Sequence, residues 1–132
     1  MEYLLDTNIC IHFFKGQFGL IEKMRNIGFH NFAISEITLA ELIYGAEKSQ
    51  RRIDNLKVIE NFTEKISIIP IFDCIKIYGK EKARLSKKGT IIGDLDLFIG
   101  ATAIANNMIM VTRNVREFER IENIRIENWI DG

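Results

Sequence analysis

Ile91-Ile92-Gly93-Asp94-Leu95-Asp96-Leu97-Phe98-Ile99-Gly100-Ala101-Thr102-Ala103-Ile104-Ala105 sets two carboxylates just after a glycine and just before the uncharged run Leu97 to Ala105. The pattern predicts a helix that is apolar on nearly every side and therefore buried. The two acids sit at its first turn, where core meets solvent. Gly100 costs about 1 kcal/mol of helix propensity relative to alanine and lets a neighbour approach closely. Asp94 and Asp96 are both candidates for chemistry, and the rest of the chain is read for groups that would join them.

Downstream, Met108 to Val111 is a short apolar run suited to an interior parallel strand, ending at the polar Thr112-Arg113-Asn114. Val115 to Arg120 then reads as a short helix, and Ile124 to Ile130 as an alternating edge strand. Upstream, Tyr3-Leu4-Leu5 is a strand that ends at Asp6-Thr7-Asn8 and runs into a helix. Phe32-Ala33-Ile34 is a second strand, followed by a helix from Ser35 toward Ser49. Arg51 to Phe62 is amphipathic, Ile66 to Ile71 is a strand, and Phe72 to Lys88 is helical again. Strand and helix alternate throughout, which predicts an α/β fold with a parallel sheet covered by helices on both faces.

The chain has 132 residues, 47% hydrophobic and 27% charged, which suits one globular domain spanning residues 1–132. No apolar run is long enough to span a bilayer, and the acidic opening is unlike a signal peptide, so a cytoplasmic protein with no membrane partner is expected. Cys10 and Cys74 lack zinc or redox spacing. Eighteen basic and eighteen acidic residues cancel, so any nucleic-acid site has to be local. Lys76, Lys80, Arg84 and Lys88 recur at i, i+4 intervals on one helix face, a row that either tracks a phosphate backbone or is simply a solvated face.

Three chain segments thus carry an acid at an element junction: Asp6, Glu41, and Asp94 with Asp96. Each also has an ordinary explanation. Asp6 is a good helix cap, and Thr38 with Glu41 has capping-box spacing. If the acids converge, their repulsion calls for a cation, and an all-oxygen set without histidine or cysteine favours Mg²⁺ or Mn²⁺. Such an ion suits hydrolysis of a phosphodiester, and the sequence offers no nucleophile or phosphate-binding motif of another class.

Leu4-Leu5-Asp6-Thr7-Asn8-Ile9, Ser35-Glu36-Ile37-Thr38-Leu39-Ala40-Glu41-Leu42 with Tyr44-Gly45, Gly93-x-x-Asp96, and Val111-Thr112-Arg113-Asn114 with Arg116-Glu117-Phe118 resemble, in order, the motifs of PIN-domain ribonucleases. They resemble most closely the VapC-type toxins of bacterial toxin–antitoxin pairs. The resemblance runs from about Tyr3 to Trp129. It implies a three-layer α/β/α domain with a parallel sheet of about five strands. It also implies an endoribonuclease that uses Mg²⁺ or Mn²⁺ and restrains translation or growth until neutralised. Carried over by position, Asp6, Glu41 and Asp96 are the catalytic and metal-binding acids. Thr7, Asn8, Thr112 and Asn114 support or line the pocket. Asp94 is an additional acid that could ligate, attract metal from nearby, or face water. Lys76, Lys80, Arg84, Lys88, Arg113 and Arg116 are cations that could engage RNA.

The implied partners are an RNA substrate, a VapB-type antitoxin in a hetero-oligomer, and a second copy in a homodimer, with DNA reached only through the antitoxin. The alternatives are a PIN-like interaction module without catalysis and a metal-dependent phosphatase. The phosphatase pattern needs an acid where Asn8 stands. A phospho-receiver module needs an aspartate at a strand end that Ile34-Ser35-Glu36 and Ile69-Pro70 do not supply.

Overall fold

The computed structural model describes residues 2–132. Its strands are β1 (Tyr3–Leu5), β2 (Phe32–Ser35), β3 (Ser67–Ile69), β4 (Ile109–Val111) and β5 (Ile126–Glu127). Its helices are α1 (Thr7–Phe14), α2 (Leu20–Ile27), α3 (Glu36–Glu47), α4 (Arg52–Thr63), α5 (Ile75–Lys88), α6 (Asp94–Ala105) and α7 (Val115–Phe118). Single 3-10 turns at Phe29–Asn31 and Phe72–Cys74 lead into β2 and α5. The sheet has the order β3-β2-β1-β4-β5 and every pairing is parallel, as the alternation of elements predicts.

Alternation along the strands divides the core into two. Leu4, Ala33 and Met110 face a layer made with Leu85, Leu97, Ile99 and Phe118. Leu5, Ile34 and Val111 face the opposite layer, with Ile9, Leu20, Met24 and Phe62. Because both faces are covered, the central strands are apolar at successive positions rather than at every second one, up to Ser35 at the end of β2. Each fully buried aliphatic side chain here contributes about 1.5–3 kcal/mol relative to exposure.

The order of strands reverses direction of growth at β1: the chain builds outward to β2 and β3, then returns to β4 on the other side. In open parallel sheets the crevice at the carboxyl ends of such strands is where ligands bind. Asp6 leaves β1 at this edge, its N–H donating to Val111 O at 2.9 Å, and Thr112 leaves β4 beside it.

Helix α6 lies in the core as its composition predicts, with Leu97, Ile99, Gly100, Ala101, Thr102 and Ala103 all buried. The Thr102 hydroxyl donates to Phe98 O at 2.8 Å, so burial leaves it satisfied. Gly100 is a contact point: a Cβ there would collide with Ile121 Cδ1 and lie 3.4 Å from Phe118 Cδ1. Ile121 is 2% exposed and has little room to yield. Gly100→Ala gains helix propensity but overpacks this contact, so the expected net effect is a loss of about 1 kcal/mol in denaturant melts.

Two local expectations need correction. The alternating run at Ile124 to Ile130 forms only the two-residue strand Ile126–Glu127, because Trp129 instead turns to pack on Tyr3 and Phe32, with ring centroids 5.1 and 5.8 Å away. The capping box at Thr38 and Glu41 does not form. Ser35 is the cap of α3, accepting from Ile37 N, which leaves Thr38 inside the helix and frees Glu41 for other contacts.

Candidate active site

Asp6 is 4% exposed and holds three hydrogen bonds. Its Oδ1 accepts from Thr7 N at 2.8 Å, and its Oδ2 accepts from Thr112 Oγ1 at 2.7 Å and Asn8 Nδ2 at 3.1 Å. The helix-cap reading therefore applies to one oxygen of this carboxylate, while Thr112 and Asn8 hold the other. Asn8 acts as a donor to Asp6, so the position that a phosphatase would need as an acid instead orients its neighbour. Thr7 crosses to α3, donating from Oγ1 to Glu41 Oε1 at 2.6 Å. The expected supporting roles of Thr7, Asn8 and Thr112 thus have specific contacts.

Asp96 enters from the first turn of α6, and Glu117 from α7. Asn114 links β4 to α7: its N–H donates to Thr112 Oγ1 at 2.9 Å, and its side chain donates to Glu117 Oε2 at 2.7 Å. Burial and then the charges of Glu117 and Asp6 push the Asp96 carboxyl up to about 7, with a hydrogen bond to Glu117 and the charge of Glu41 adding to it. Burial also raises the Asp6 carboxyl, against its bonds to Thr112 and Thr7, with the charges of Glu41 and Glu117 contributing. Asp6, Glu41, Asp96 and Glu117, from four segments, therefore lie within electrostatic reach of one another.

Glu117 is the member that reading the sequence missed. It lies inside a four-residue helix between Arg116 and Phe118, where a surface glutamate would look the same. The available signal is its place three residues after Asn114, the spacing by which a residue at the third helical position meets its cap.

Asp94 is not with the other acids. Its Oδ1 accepts from Tyr78 OH at 2.9 Å and pairs with Lys82 Nζ at 2.8 Å, on the α5 side of the helix. Lys82 and then Tyr78 hold its carboxyl below the usual range. The expected row of cations on α5 is also broken. Lys76, Lys80 and Lys88 are exposed, but Arg84 folds onto the buried Glu81 through Nε at 2.9 Å and Nη2 at 2.7 Å, and donates to Arg120 O. Arg84 is thereby committed to the fold, where it compensates a buried carboxylate. Arg113 pairs with Asp131 at 3.3 Å and lies over the Phe18 ring, while Arg116 is exposed.

The donor set fits a hard divalent cation. All four acids offer oxygen, and Asn8 Oδ1 is buried without a hydrogen-bond partner beside Asp6. Among the described residues no three His, Cys, Asp or Glu side chains stand close enough together to clasp an ion. A groove of about 330 Å³ between α1, α3 and α4 is lined by Ile11, Phe14, Leu42, Val58 and Ile59, with Lys15, Glu41 and Asn55 also on its wall.

The pH response of the ion-free protein follows from these carboxyls. The folded-state values of Asp96 and Asp6 lie above the unfolded value of about 4, so the folded state binds more protons. Their contribution to stability is present at low pH and is lost as pH rises from about 4 through about 7. Thermal melts at pH 5.5 and pH 8 should show the ion-free protein less stable at the higher pH, and saturating Mn²⁺ should remove most of the difference.

A parallel sheet with Asp6 at its switch point and acids of α3, α6 and α7 within electrostatic reach is an α/β domain with an acidic pocket. Residues 3–124 match the PIN domain family. The chain is 41% identical over 130 residues to the tRNA(fMet)-specific endonuclease VapC of Salmonella typhimurium, covering 98% of each chain. It is 40% identical over 131 residues to ribonuclease VapC2 of Haemophilus influenzae, covering 98% of this chain and 99% of the other. The fold superposes with a TM-score of 0.91 on a chain of the crystal structure of VapBC2 from Rickettsia felis bound to a DNA fragment from their promoter, at 39% identity and with 98% and 99% of the two chains covered. The chain belongs to the PIN-domain family, among the VapC ribonucleases. Nucleases of this family use divalent metal ions.

Proposed function

We propose that the protein is a Mg²⁺- or Mn²⁺-dependent endoribonuclease, a single PIN domain spanning residues 1–132, and the toxin of a VapBC-type pair. The observation that carries this reading is the placing of Asp6, Glu41 and Glu117 within electrostatic reach of Asp96, which burial and these acids raise to about 7. A fold that accepts such repulsion without a cation gains nothing structural from it, which is the mark of a functional site.

Asp6, Asp96, Glu41 and Glu117 would hold the ion. When bound, it supplies charge neutralisation at the phosphodiester and activation of water for in-line hydrolysis. The chain's own part is positioning. Thr112, Asn8 and the Thr7 amide fix the Asp6 carboxylate, Thr7 aligns Glu41, and Asn114 aligns Glu117. Exposed Arg116, and Arg113 once released from Asp131, lie on the segment that follows β4 and supply positive charge for the RNA backbone.

RNA is the substrate class, and transfer RNA is the first to test because the Salmonella relative is named for tRNA(fMet). A VapB-type antitoxin is the proposed partner, with a second copy of the chain completing a hetero-oligomer. The VapBC complexes of Rickettsia felis and Salmonella typhimurium support this, as does the largely apolar groove that Glu41 helps to line. DNA would be reached only through the antitoxin. Among the described residues no helix is long and apolar enough to cross a membrane, and both cysteines are free, which supports a cytoplasmic site of action.

Expression of the chain alone in a bacterial host should arrest growth, and co-expression of the cognate VapB-type protein should relieve the arrest. Asp6→Asn should be harmless at equal protein level. Arrest by Asp6→Asn equal to wild type would contradict a catalytic toxin.

A further inference from the structure

The first turn of α6 is held unevenly. Gly93, its cap, offers no side-chain hydrogen bond, and residues 90–93 before it have no regular structure. Asp94 and Asp96 diverge by about 200° around the helix axis. Asp96 stands within reach of the like charges of Asp6, Glu41 and Glu117, so this side of the turn carries electrostatic repulsion. On the other side Asp94 is gripped by α5. Lys82 Nζ lies 2.8 Å and Tyr78 OH 2.9 Å from Asp94 Oδ1, and Lys82 also donates to Tyr78 OH at 3.3 Å. One turn further along, the Tyr78 ring lies flat on Phe98, with centroids 3.9 Å apart and planes 7° apart.

We propose that Asp94 is a positioning residue, clamped by Lys82 and Tyr78, which keeps the first turn of α6 seated against the repulsion acting on Asp96 and so sets the affinity of the site for its cation. It does this without touching the ion. The proposal rests on the metal-dependent reading above. Lys82 and Asp94 have side chains 48% and 55% exposed, so the pair adds little to global stability. Its effect is local, on the placement of a carboxylate, and small displacements of a positioned group can cost orders of magnitude in rate.

The test uses the full chain free of partner, as wild type, Asp94→Ala, Lys82→Ala and Lys82→Arg. Mn²⁺ is titrated calorimetrically and RNA cleavage is measured at limiting and saturating Mn²⁺. Both alanine variants should raise the Mn²⁺ Kd about tenfold and lower kcat at limiting metal by a similar factor, with KM for RNA and the melting temperature unchanged, and Lys82→Arg should restore wild-type binding. If Asp94 were itself a ligand, Lys82→Ala would free it and tighten Mn²⁺ binding, which overturns the proposal. Wild-type Mn²⁺ affinity in both alanine variants also overturns it. Wild-type protein that binds no Mn²⁺ overturns the metal reading and the clamp with it, whereas normal wild-type binding matched by the variants overturns the clamp alone.

Discussion

Asp96→Asn protein, freed of any partner, should fail to cut RNA at any Mg²⁺ or Mn²⁺ concentration and yet melt at a higher temperature than wild type at pH 8. The two halves of this result have one cause. At pH 8 the wild-type carboxylate is ionised among Asp6, Glu41 and Glu117, which is a favourable arrangement only when a cation is present. Asparagine keeps the shape, removes the charge, and gives Glu117 a hydrogen-bond donor. Relief of about 1 kcal/mol of repulsion raises the melting temperature of a chain of this size by about 4 °C. The cost appears in catalysis, where loss of a carboxylate that holds the ion should lower kcat/KM at least about 10³-fold, equivalent to about 4 kcal/mol of transition-state stabilisation. Wild-type stability together with wild-type cleavage would remove Asp96 from the site. Lost cleavage with a lower melting temperature would make its role structural.

Glu117→Gln should reduce cleavage about 10²-fold at limiting metal, with a smaller loss at saturation. After burial, the charge of Glu117 does most to raise the Asp96 carboxyl, and Asn114 donates to the Glu117 carboxylate. Its removal should also bring the Asp96 carboxyl down toward the ordinary range, so the ion-free variant should lose less stability between pH 5.5 and pH 8 than wild type does. An Asn114→Ala variant, which leaves Glu117 charged but unaimed, should fall between the two. Cleavage and pH response equal to wild type in Glu117→Gln would return Glu117 to the surface residue that its sequence context suggests.

Much of this site is legible in the amino-acid sequence because its acids stand at element junctions. Asp6 ends an apolar strand and Asp96 opens an apolar helix, so the position of each follows from the hydrophobic pattern around it. Glu41 is less plain, since spacing from Thr38 offers a local use for its carboxylate; only the structure puts Ser35 at the cap and Thr7 against Glu41. Glu117 was hidden because α7 is one turn long, too short for a periodic pattern to say which way a side chain points.

The separation of Asp94 from Asp96 was accessible in principle, from the 200° between them, but the partners on α5 were not. Lys82 belongs to no cationic row, and Tyr78 reads as a core residue. Arg84 shows the converse. The i, i+4 row counts it as a free cation, whereas Glu81, three residues earlier and buried, takes it out of solvent. Patterns along a helix describe faces, and pairing across elements decides which charged groups on those faces are available.

Cleavage of transfer RNA by purified, partner-free protein tests most directly whether these carboxylates hold a divalent cation for RNA hydrolysis. The reaction should require Mg²⁺ or Mn²⁺, stop on addition of EDTA, resume when the ion is restored in excess, and be absent from Asp96→Asn prepared in parallel. Cleavage that persists in EDTA and in Asp96→Asn alike would contradict that role.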